Sequence, residues 1–399
     1  MPAPVVPTGV TDSDDVVLVD AARTPHGELL GSLAPVEATG LGRTAIDGLL
    51  DHTGIDPSLP DWVCLGNAIQ AGVGQVPARQ AVVESDLPTS TPATTVNEAS
   101  GSGLRAITLA ADRIDAGRID FAIAGGMESM SNAPHLVPDY RAGRRHGNGD
   151  LVDAMICDGL WDVTEDAHMG ELTERMAERE GIGREQQDEY ALRSHRRAAE
   201  RIEAGAFDAE TVPVTTSGGL VERDEGPRPD STAESLADLQ PAFRRDGTIT
   251  PANASKLADG AGCALVTTAE AAHEHGFGVM AELVDYAVVY REPARFNEVV
   301  ADALRALLDA NDLGVDDVDH FEINEAFAAQ TVYVRDALDV PEERLNPDGG
   351  AVAFGHPIGA SGGMLVTALL YAMEREDATY GVVGMSVGGG GAIVALLER

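Results

Sequence analysis

Short apolar runs with β-strand character alternate with helical patterns over the first 129 residues of this chain. These segments are, in chain order, 16–22 (strand), 40–53 (helix), 62–69 (strand), 77–85 (helix), a helix from about Gly101, and 120–126 (strand). Strands and helices that alternate in this way bury their apolar faces by packing a sheet against layers of helices. The alternation therefore predicts a layered α/β fold.

The pattern changes at about residue 130. Long charged helical stretches such as 184–205 are then separated by loops rich in glycine, proline and aspartate, for example 221–232. After about residue 258 the α/β alternation returns and continues to the C-terminus. The changes predict three parts: an N-terminal half at 1–129 that 259–281 completes, an inserted loop domain at 130–258, and a C-terminal half at 282–399.

Two segments in different halves resemble each other, which is a weak sign of internal duplication. Residues 94–107 and 320–334 both contain the tripeptide Asn-Glu-Ala, each time after a short β-prone run and before a helical pattern. This similarity places Ser100 and Phe327 at corresponding strand-to-helix turns. Such turns often carry the functional site of an α/β fold.

The charge balance is strongly acidic. The chain has 28 basic and 66 acidic residues, a formal net charge of −38, and a single lysine, Lys256. Such a charge argues against nucleic acid as a partner. A dense carboxylate surface spread among apolar segments indicates a halophile's cytoplasmic protein of haloarchaeal type, because high salt screens the repulsion between these carboxylates. We expect low salt to destabilise the fold.

Targeting, membrane and metal signals are missing from the sequence pattern. The first 14 residues have neither the basic region nor the apolar region of a secretory leader, and no segment has the apolar length of a membrane span. The three cysteines lack metal-ligand spacing and have mostly apolar neighbours, which favours core positions for Cys64, Cys157 and Cys263. The pair His273 and His275 has no third ligand nearby, so we expect an exposed helix end and no metal site.

Several glycine-rich segments carry polar side chains that can take part in catalysis or binding. They are 97–107, 253–262, 324–330, 349–363 and 384–392. Together with 22–33, 66–81, 125–135 and 168–177, taken in order, they resemble the thiolase family over nearly the whole length. The resemblance implies the thiolase fold, an α/β fold with two duplicated βαβαβαββ-type halves in five αβαβα layers and an inserted loop domain.

The resemblance also implies an activity: a 3-ketoacyl-CoA thiolase (acetyl-CoA C-acyltransferase) that makes or cleaves a 3-ketoacyl-CoA. Thiolases carry a nucleophilic cysteine in a pattern similar to VNxxCGSG, and here Ser100 stands at that position. A second family cysteine, the acid/base for the substrate's α-proton, precedes a glycine triplet, and Ser386 stands there. A serine at a helix start also serves as an N-cap without any chemistry, so both interpretations apply to Ser100.

A hydroxyl nucleophile needs a general base within hydrogen-bond reach. By resemblance that base is His356, although a lone histidine is more often a surface or satisfied core residue. The resemblance also implies that Asn324 and His356 form one oxyanion site, and that the backbone N–H groups of Ser100 and Gly388 form the other. The glycines from Gly388 onward are equally typical of a tight turn. Because an unperturbed hydroxyl is a poor base, we expect a residue other than Ser386 to act as acid/base for the α-proton.

Two further histidines are alternatives for that acid/base role. His168 matches a family segment that lines the acyl pocket together with Met169, and His135 is a lesser candidate. Pocket lining and loop packing are the simpler interpretations of these two histidines.

Coenzyme A carries phosphates that a protein of this charge repels unless local cations intervene. By resemblance Arg228 packs on the adenine and Ser255 contacts the pantetheine arm, with Lys256 adjacent. We expect coenzyme A thioesters (acetyl-CoA, acyl-CoA or 3-ketoacyl-CoA) as substrates and no permanently bound cofactor.

Two other functions stay open. The first is an acyl-CoA-binding subunit with little turnover, and the second is an acyl-CoA hydrolase in which water attacks the ester on Ser100. The resemblance further implies a homodimer or homotetramer, with a small accessory subunit as a possible partner. Acyl chain length and reaction direction are open.

Overall fold

The computed structural model describes residues 13–143 and 145–399. Before residue 130 the elements are β1 (Val16–Arg23), β2 (Gly27–Glu28), α1 (Ala38–Thr53), β3 (Trp62–Gly66), α2 (Pro77–Glu84), β4 (Ala93–Val96), α3 (Ser102–Asp115) and β5 (Ala122–Ser129). From residue 130 to 257 they are β6 (His135–Leu136), β7 (Val152–Asp153), a π-helical turn (Met155–Leu160), β8 (Trp161–Asp162), β9 (Ala167–His168), α4 (Met169–Glu180), α5 (Arg184–Glu203), β10 (Val214–Thr216), β11 (Gly219–Val221) and α6 (Ala233–Ala237). The remaining elements are β12 (Ala258–Thr268), α7 (Ala269–His275), β13 (Ala281–Tyr290), α8 (Val299–Ala310), β14 (His320–Ile323), α9 (Ala328–Leu338), α10 (Ala351–Phe354), α11 (Ser361–Glu376), β15 (Tyr380–Val387) and β16 (Gly391–Glu398).

A ten-stranded sheet runs through the molecule in the order β14-β15-β16-β13-β1-β12-β5-β3-β4, with β2 paired to β12. Strand β3 is parallel to β4 and β5, and β14 is parallel to β15, whereas the other neighbours are antiparallel. The two parts of the sheet meet where Val17 pairs with Glu282 and Leu18 pairs with Ala281. This short pairing joins an N-terminal sheet to a C-terminal sheet.

Helices cover and separate the two sheets. Helices α3 and α11 pack against each other and against strands of both sheets, around one buried apolar cluster. Helices α1 and α2 form an outer layer on the N-terminal sheet, and α8 and α9 belong to the apolar cluster on the far side of the C-terminal sheet. The order is therefore αβαβα, which confirms the predicted fold class.

The sequence predicted most core elements with small errors at their ends. The run 62–69 ends as a strand at Gly66; Asn67 N–H still donates to the carbonyl of Val96, but the following N–H groups turn away from the sheet. Ala68 N–H donates to the buried carboxylate of Glu128 over 2.9 Å, and Ile69 N–H does so over 3.3 Å. A side chain thus replaces the neighbouring strand as the acceptor.

The segment between β5 and β12 packs on the C-terminal half through its two long helices. Helix α5 contacts α9 and α10, and helix α4 contacts α9. The division of the chain into two halves and an inserted domain stays a prediction.

The cysteines divide into two environments. Cys64 and Cys263 are buried, and burial raises the pKa of the Cys64 thiol to about 12. The predicted core position is wrong for Cys157, which is half-buried because it lies in the irregular π-helical turn. His273 and His275 are exposed at the end of α7, as expected.

Across 13–143 and 145–399, no helix combines the length and the apolar character that crossing a membrane requires. The same residues contain no group of three or more His, Cys, Asp or Glu side chains placed to hold a metal ion. The first 12 residues, part of the segment used for the leader prediction, lie outside the described residues.

Candidate active site

The turn between β4 and α3 presents the hydroxyl of Ser100 to a cavity. Ala99 adopts a left-handed backbone conformation with φ +49°, and its N–H donates to Oδ1 of Asn97 over 3.0 Å. The N-cap of α3 is Gly101, and the hydroxyl that braces the turn belongs to Ser102, which accepts from Glu98 N–H at 2.9 Å. Ser100 is therefore not the capping residue, and its hydroxyl faces another partner.

That partner is His356. Ser100 Oγ lies 2.9 Å from His356 Nε2, although 256 residues separate them in the chain. The histidine follows Gly355, whose φ of +111° and close approach to Ala258 leave no room for a Cβ atom. His356 N–H then donates to the carbonyl of Lys256 over 2.8 Å, which fixes the loop beside β12.

Ser361, at the start of α11, orients the imidazole ring. Its Oγ lies 2.6 Å from His356 Nδ1 and 3.1 Å from the carbonyl of Pro357. The hydroxyl donates to that carbonyl and therefore accepts from Nδ1–H, which leaves the lone pair on Nε2 for Ser100. Burial, with a smaller contribution from His26, lowers the pKa of His356 to about 4, so the ring is neutral at neutral pH.

Asn324 follows β14 and lies on the other side of the imidazole. Its Nδ2 is 3.4 Å from His356 Nε2, and its backbone N–H donates to Gly384 over 2.8 Å. The side chain is buried, and within the described residues its Oδ1 has no hydrogen-bond partner. The amide nitrogen thus faces the reacting groups.

A cavity of about 60 Å³ adjoins these groups. Ser100, His356, Ser386 and Gly388 line it, and Ser386 is only 3% exposed. The apolar part of the wall consists of Ala99, Gly159, Leu160, Met169, Phe296, Ala326, Phe327 and Ile358. The structure therefore brings Ser100, His356, Ser386 and Gly388 to one small cavity and places Asn324 beside the histidine.

A larger cavity of about 750 Å³ lies next to the small one, and Leu160, Ser255 and Phe327 belong to the walls of both. Arg228 and Lys256 line the larger cavity and share one carboxylate, since both lie within 3.4 Å of Glu28 Oε1. Burial and the neighbouring Arg228 lower the pKa of Lys256 to about 8. Asp153 also lines this cavity, so its walls hold two cations and one carboxylate, with Glu28 beside the two cations.

His168 borders the larger cavity rather than the small one. Its Nδ1 accepts from Gly170 N–H over 3.0 Å at the start of α4, and its ring stacks on Phe243 at 4.7 Å. The lone pair of Nδ1 is used in this bond, so Nε2 carries the hydrogen. Met169 lines the small cavity, while His135 is exposed on β6 and borders neither cavity.

Sequence reasoning missed the residues that support this site. Ser361 is one of them: it lies in the segment 349–363, five residues after His356, but the sequence did not single out the serine itself. Glu128 is another: it is fully buried and accepts from Asn67 and from the backbone N–H of Gly359, three residues after His356. Burial raises the pKa of Glu128 to about 7. A single serine or glutamate in a sequence does not show whether it supports a buried site or lies on the surface, so neither residue was identified.

Glu322 is a third missed residue. It lines a cavity of about 30 Å³ behind Asn324, together with Ser361 and His26. The signal was present, because polar residues at 320, 322 and 324 alternate with Phe321 and Ile323 along β14 and so share one face of the strand. Burial raises the pKa of Glu322 to about 6.

Comparison with known proteins places this geometry in a family. Residues 16–270 match the thiolase N-terminal domain, and residues 277–399 match the thiolase C-terminal domain. The chain belongs to the thiolase family and is an acyltransferase.

Individual relatives agree over nearly the whole chain. An acetyl-CoA acetyltransferase of Pseudomonas aeruginosa is 43% identical over 390 residues, which are 96% of this chain and 99% of that one. A probable acetyl-CoA acyltransferase of Staphylococcus epidermidis is 41% identical over 389 residues, covering 96% and 98%. The crystal structure of the Bacillus anthracis acetyl-CoA acetyltransferase superimposes with a TM-score of 0.93 at 36% identity, covering 96% of this chain and 98% of that one.

Proposed function

We propose that this protein is a 3-ketoacyl-CoA thiolase that works through an acyl-enzyme on Ser100. The observation that carries the proposal is the 2.9 Å approach of Ser100 Oγ to His356 Nε2 in a small cavity beside a larger one that Arg228 and Lys256 line. Relatives named acetyl-CoA acetyltransferase support the same chemistry. The pair supplies a nucleophile and its base in one hydrogen bond.

In the first half-reaction Ser100 Oγ attacks the thioester carbonyl of acetyl-CoA. The hydroxyl proton passes to His356 Nε2, and the carbon–sulfur bond breaks. The coenzyme A thiolate takes the proton from His356 and leaves as free thiol. An acetyl ester on Ser100 remains, and the imidazole is neutral again.

Developing negative charge on the carbonyl oxygen requires hydrogen-bond donors. We assign this role to the backbone N–H groups of Ser100 and Gly388, since both residues line the small cavity. The side-chain amide of Asn324 serves the oxygen of the second thioester, because the Nδ1–H of His356 is donated to Ser361 and its Nε2 carries the lone pair. Ser100 precedes α3, Asn324 follows β14 and Gly388 follows β15, so each donor lies at the end of an element.

We place coenzyme A in the larger cavity, which has a volume of about 750 Å³. Arg228 and Lys256 supply the positive field for its phosphates, and Ser255 lies on the wall that both cavities share, where the pantetheine arm has to pass. His168 offers a donor from Nε2 in the same cavity. The small volume next to Ser100 favours a short acyl group.

The assembly proposed for this chain is a homodimer or homotetramer. Strand β4 ends the sheet on one side, and its residues are half-buried or exposed. Such an edge is open to pairing with a second copy. Light scattering coupled to gel filtration in multimolar KCl measures the oligomeric state, and a monomer would refute this assembly.

Acetyl transfer is testable by mass spectrometry. The protein is incubated in multimolar KCl with acetyl-CoA, and its intact mass and peptides are compared with those of Ser100→Ala. We expect one acetyl group on Ser100 and none on the variant. Coenzyme A binding without an adduct would favour the binding subunit, and release of acetate without acetoacetyl-CoA would favour the hydrolase.

A further inference from the structure

Carbon–carbon bond formation needs a base for the α-proton of the second acetyl-CoA, in addition to a base for Ser100. Among the described residues that line the small cavity, one titratable side chain is present, His356. The other polar side chains on its wall are the hydroxyls of Ser100, Ser255 and Ser386. The composition of the cavity therefore restricts where the second base can come from.

The alternative bases do not meet the requirement. Ser386 offers only a hydroxyl, which is a poor proton acceptor near neutral pH unless a base activates it, and the one titratable side chain among the described residues lining this cavity is His356. His168 lies in the larger cavity with its Nδ1 lone pair already used. Cys157 is absent from the wall of the small cavity, and its Sγ lies 3.3 Å from Oδ1 of Asp158.

The geometry of the reaction brings the α-carbon to the existing base. The carbon nucleophile has to approach the acyl carbon on Ser100 Oγ to within about 3–3.5 Å before it reacts. Since His356 Nε2 lies 2.9 Å from that Oγ, an α-carbon in attack position is within reach of the same nitrogen. We propose that His356 is the only base of both half-reactions, an inference that rests on the proposed function.

One base accounts for every proton transfer of the two half-reactions. After the first half-reaction His356 is neutral, because the departing thiol took its proton. Nε2 then removes the α-proton of the second acetyl-CoA, and the enolate carbon attacks the acetyl ester on Ser100. The carbon–oxygen bond breaks, and the Ser100 alkoxide recovers its proton from His356. The products are acetoacetyl-CoA and the original enzyme.

A serine nucleophile has a particular need for this arrangement. An alkoxide is a much poorer leaving group than a thiolate, so its departure requires an acid within hydrogen-bond distance. The imidazolium formed by α-proton removal is that acid, and it lies 2.9 Å from the departing oxygen. Ser361 keeps the ring in the matching tautomer by accepting from Nδ1–H at 2.6 Å.

Exchange of the α-protons of acetyl-CoA in D₂O tests the inference. Ser100→Ala removes acyl transfer but leaves His356 in place, so we expect it to catalyse deuterium incorporation into the acetyl group. Adding His356→Asn should slow exchange by about 10²- to 10⁴-fold, the usual contribution of a general base. In the control double variant, which combines Ser100→Ala with Ser386→Ala and keeps His356, deuterium exchange should slow by less than about tenfold.

Two results would overturn the inference. One is exchange that survives His356→Asn but is lost with Ser386→Ala. The other is the absence of exchange in Ser100→Ala while coenzyme A still binds. Calorimetric binding of coenzyme A to each variant shows that the fold is intact. If the wild type is never acetylated, the proposed function fails, whereas normal acetylation with exchange independent of His356 refutes only the single base.

Discussion

The two Asn-Glu-Ala turns share a sequence but not an environment. In the first turn Asn97 is exposed, and its side-chain amide bonds to the backbone. It accepts from Ala99 N–H and donates to the Ala68 carbonyl, each over 3.0 Å. In the second turn Asn324 is buried, and its Nδ2 faces His356 at 3.4 Å. One asparagine shapes the turn that presents Ser100, while the other faces the chemistry.

The glutamates differ in the same sense. Glu98 is partly exposed and pairs with Arg105 at 2.9 Å. Glu325 is fully buried and accepts from Tyr190, Ser194 and Asn346 over 2.6–3.0 Å, and also from the backbone of Val352. The comparison teaches that a duplicated turn can carry a nucleophile on one copy and a rigid support on the other, because burial and partners decide the role.

The asparagine pair gives the largest expected contrast. We expect Asn324→Ala to lower kcat by about 10²- to 10³-fold, the usual loss for one oxyanion donor, with little change in KM. Asn97→Ala should lower kcat by about tenfold or less, because its amide acts on the shape of the turn. Steady-state kinetics of acetoacetyl-CoA thiolysis measures both. Equal losses in kcat would contradict the division of roles.

The glutamate pair tests the structural side of the comparison. Glu325→Gln leaves several buried donors with a weaker acceptor and should lower the free energy of unfolding by about 2–3 kcal/mol. Glu98→Gln removes a partly exposed ion pair and should lower it by about 0–1 kcal/mol. Denaturant unfolding in constant KCl measures the difference. A larger loss for Glu98→Gln would reverse the assignment.

Ala99 and Ala326, the alanines of the two Asn-Glu-Ala turns, give smaller effects on the free energy of unfolding. We expect the two effects to have opposite signs. Ala99 has φ +49°, whereas its counterpart Ala326 does not have a positive φ. Ala99→Gly relieves left-handed strain and should raise the free energy of unfolding by up to about 1 kcal/mol. Ala326→Gly only adds freedom to the unfolded chain and should lower it by about 0.5–1 kcal/mol. Thermal unfolding of the two variants checks the signs.

The smallest expected effect is the pH dependence of acylation between about pH 5 and 8. Burial lowers the pKa of His356 to about 4, so the basic, neutral ring predominates throughout this range. His26, whose Nδ1 lies 2.8 Å from Asp224, lowers the pKa of His356 further. We expect less than a twofold change, followed by a fall below about pH 4–5. A fall centred on the ordinary histidine pKa of 6.5 would show that burial does not hold the ring neutral.

The sequence predicted the elements well where the apolar periodicity and the residues typical of turns and helix ends indicate the same boundaries. Helix α1 and strand β1 came within about two residues of their observed bounds, and the start of α3 within one, because each buries one apolar face. The end of β3 was missed, since a distant carboxylate, Glu128, accepts the N–H groups that would have continued the strand. Long-range hydrogen bonds leave no local pattern to read.

For the site, the sequence indicated Ser100, His356 and Asn324 through motifs that resemble a known family. It did not single out Ser361, Glu128 or Glu322, although the first two lie in segments 349–363 and 125–135 and Glu322 belongs to the alternation along β14. Their roles depend on which buried donor or acceptor they meet. That information exists only after the chain has brought residues more than 200 positions apart into contact.

By itself, the sequence determined the alternation of strands and helices, the acidic surface with a single lysine, and the residue types at the reacting positions. Tertiary structure decided which of two similar turns presents a hydroxyl and which buries an amide, and it decided that the described residues lining the small cavity include one titratable group. The physical reason is that local pattern fixes element type through burial of apolar faces. Proton affinity and orientation depend on desolvation and on partners that folding supplies.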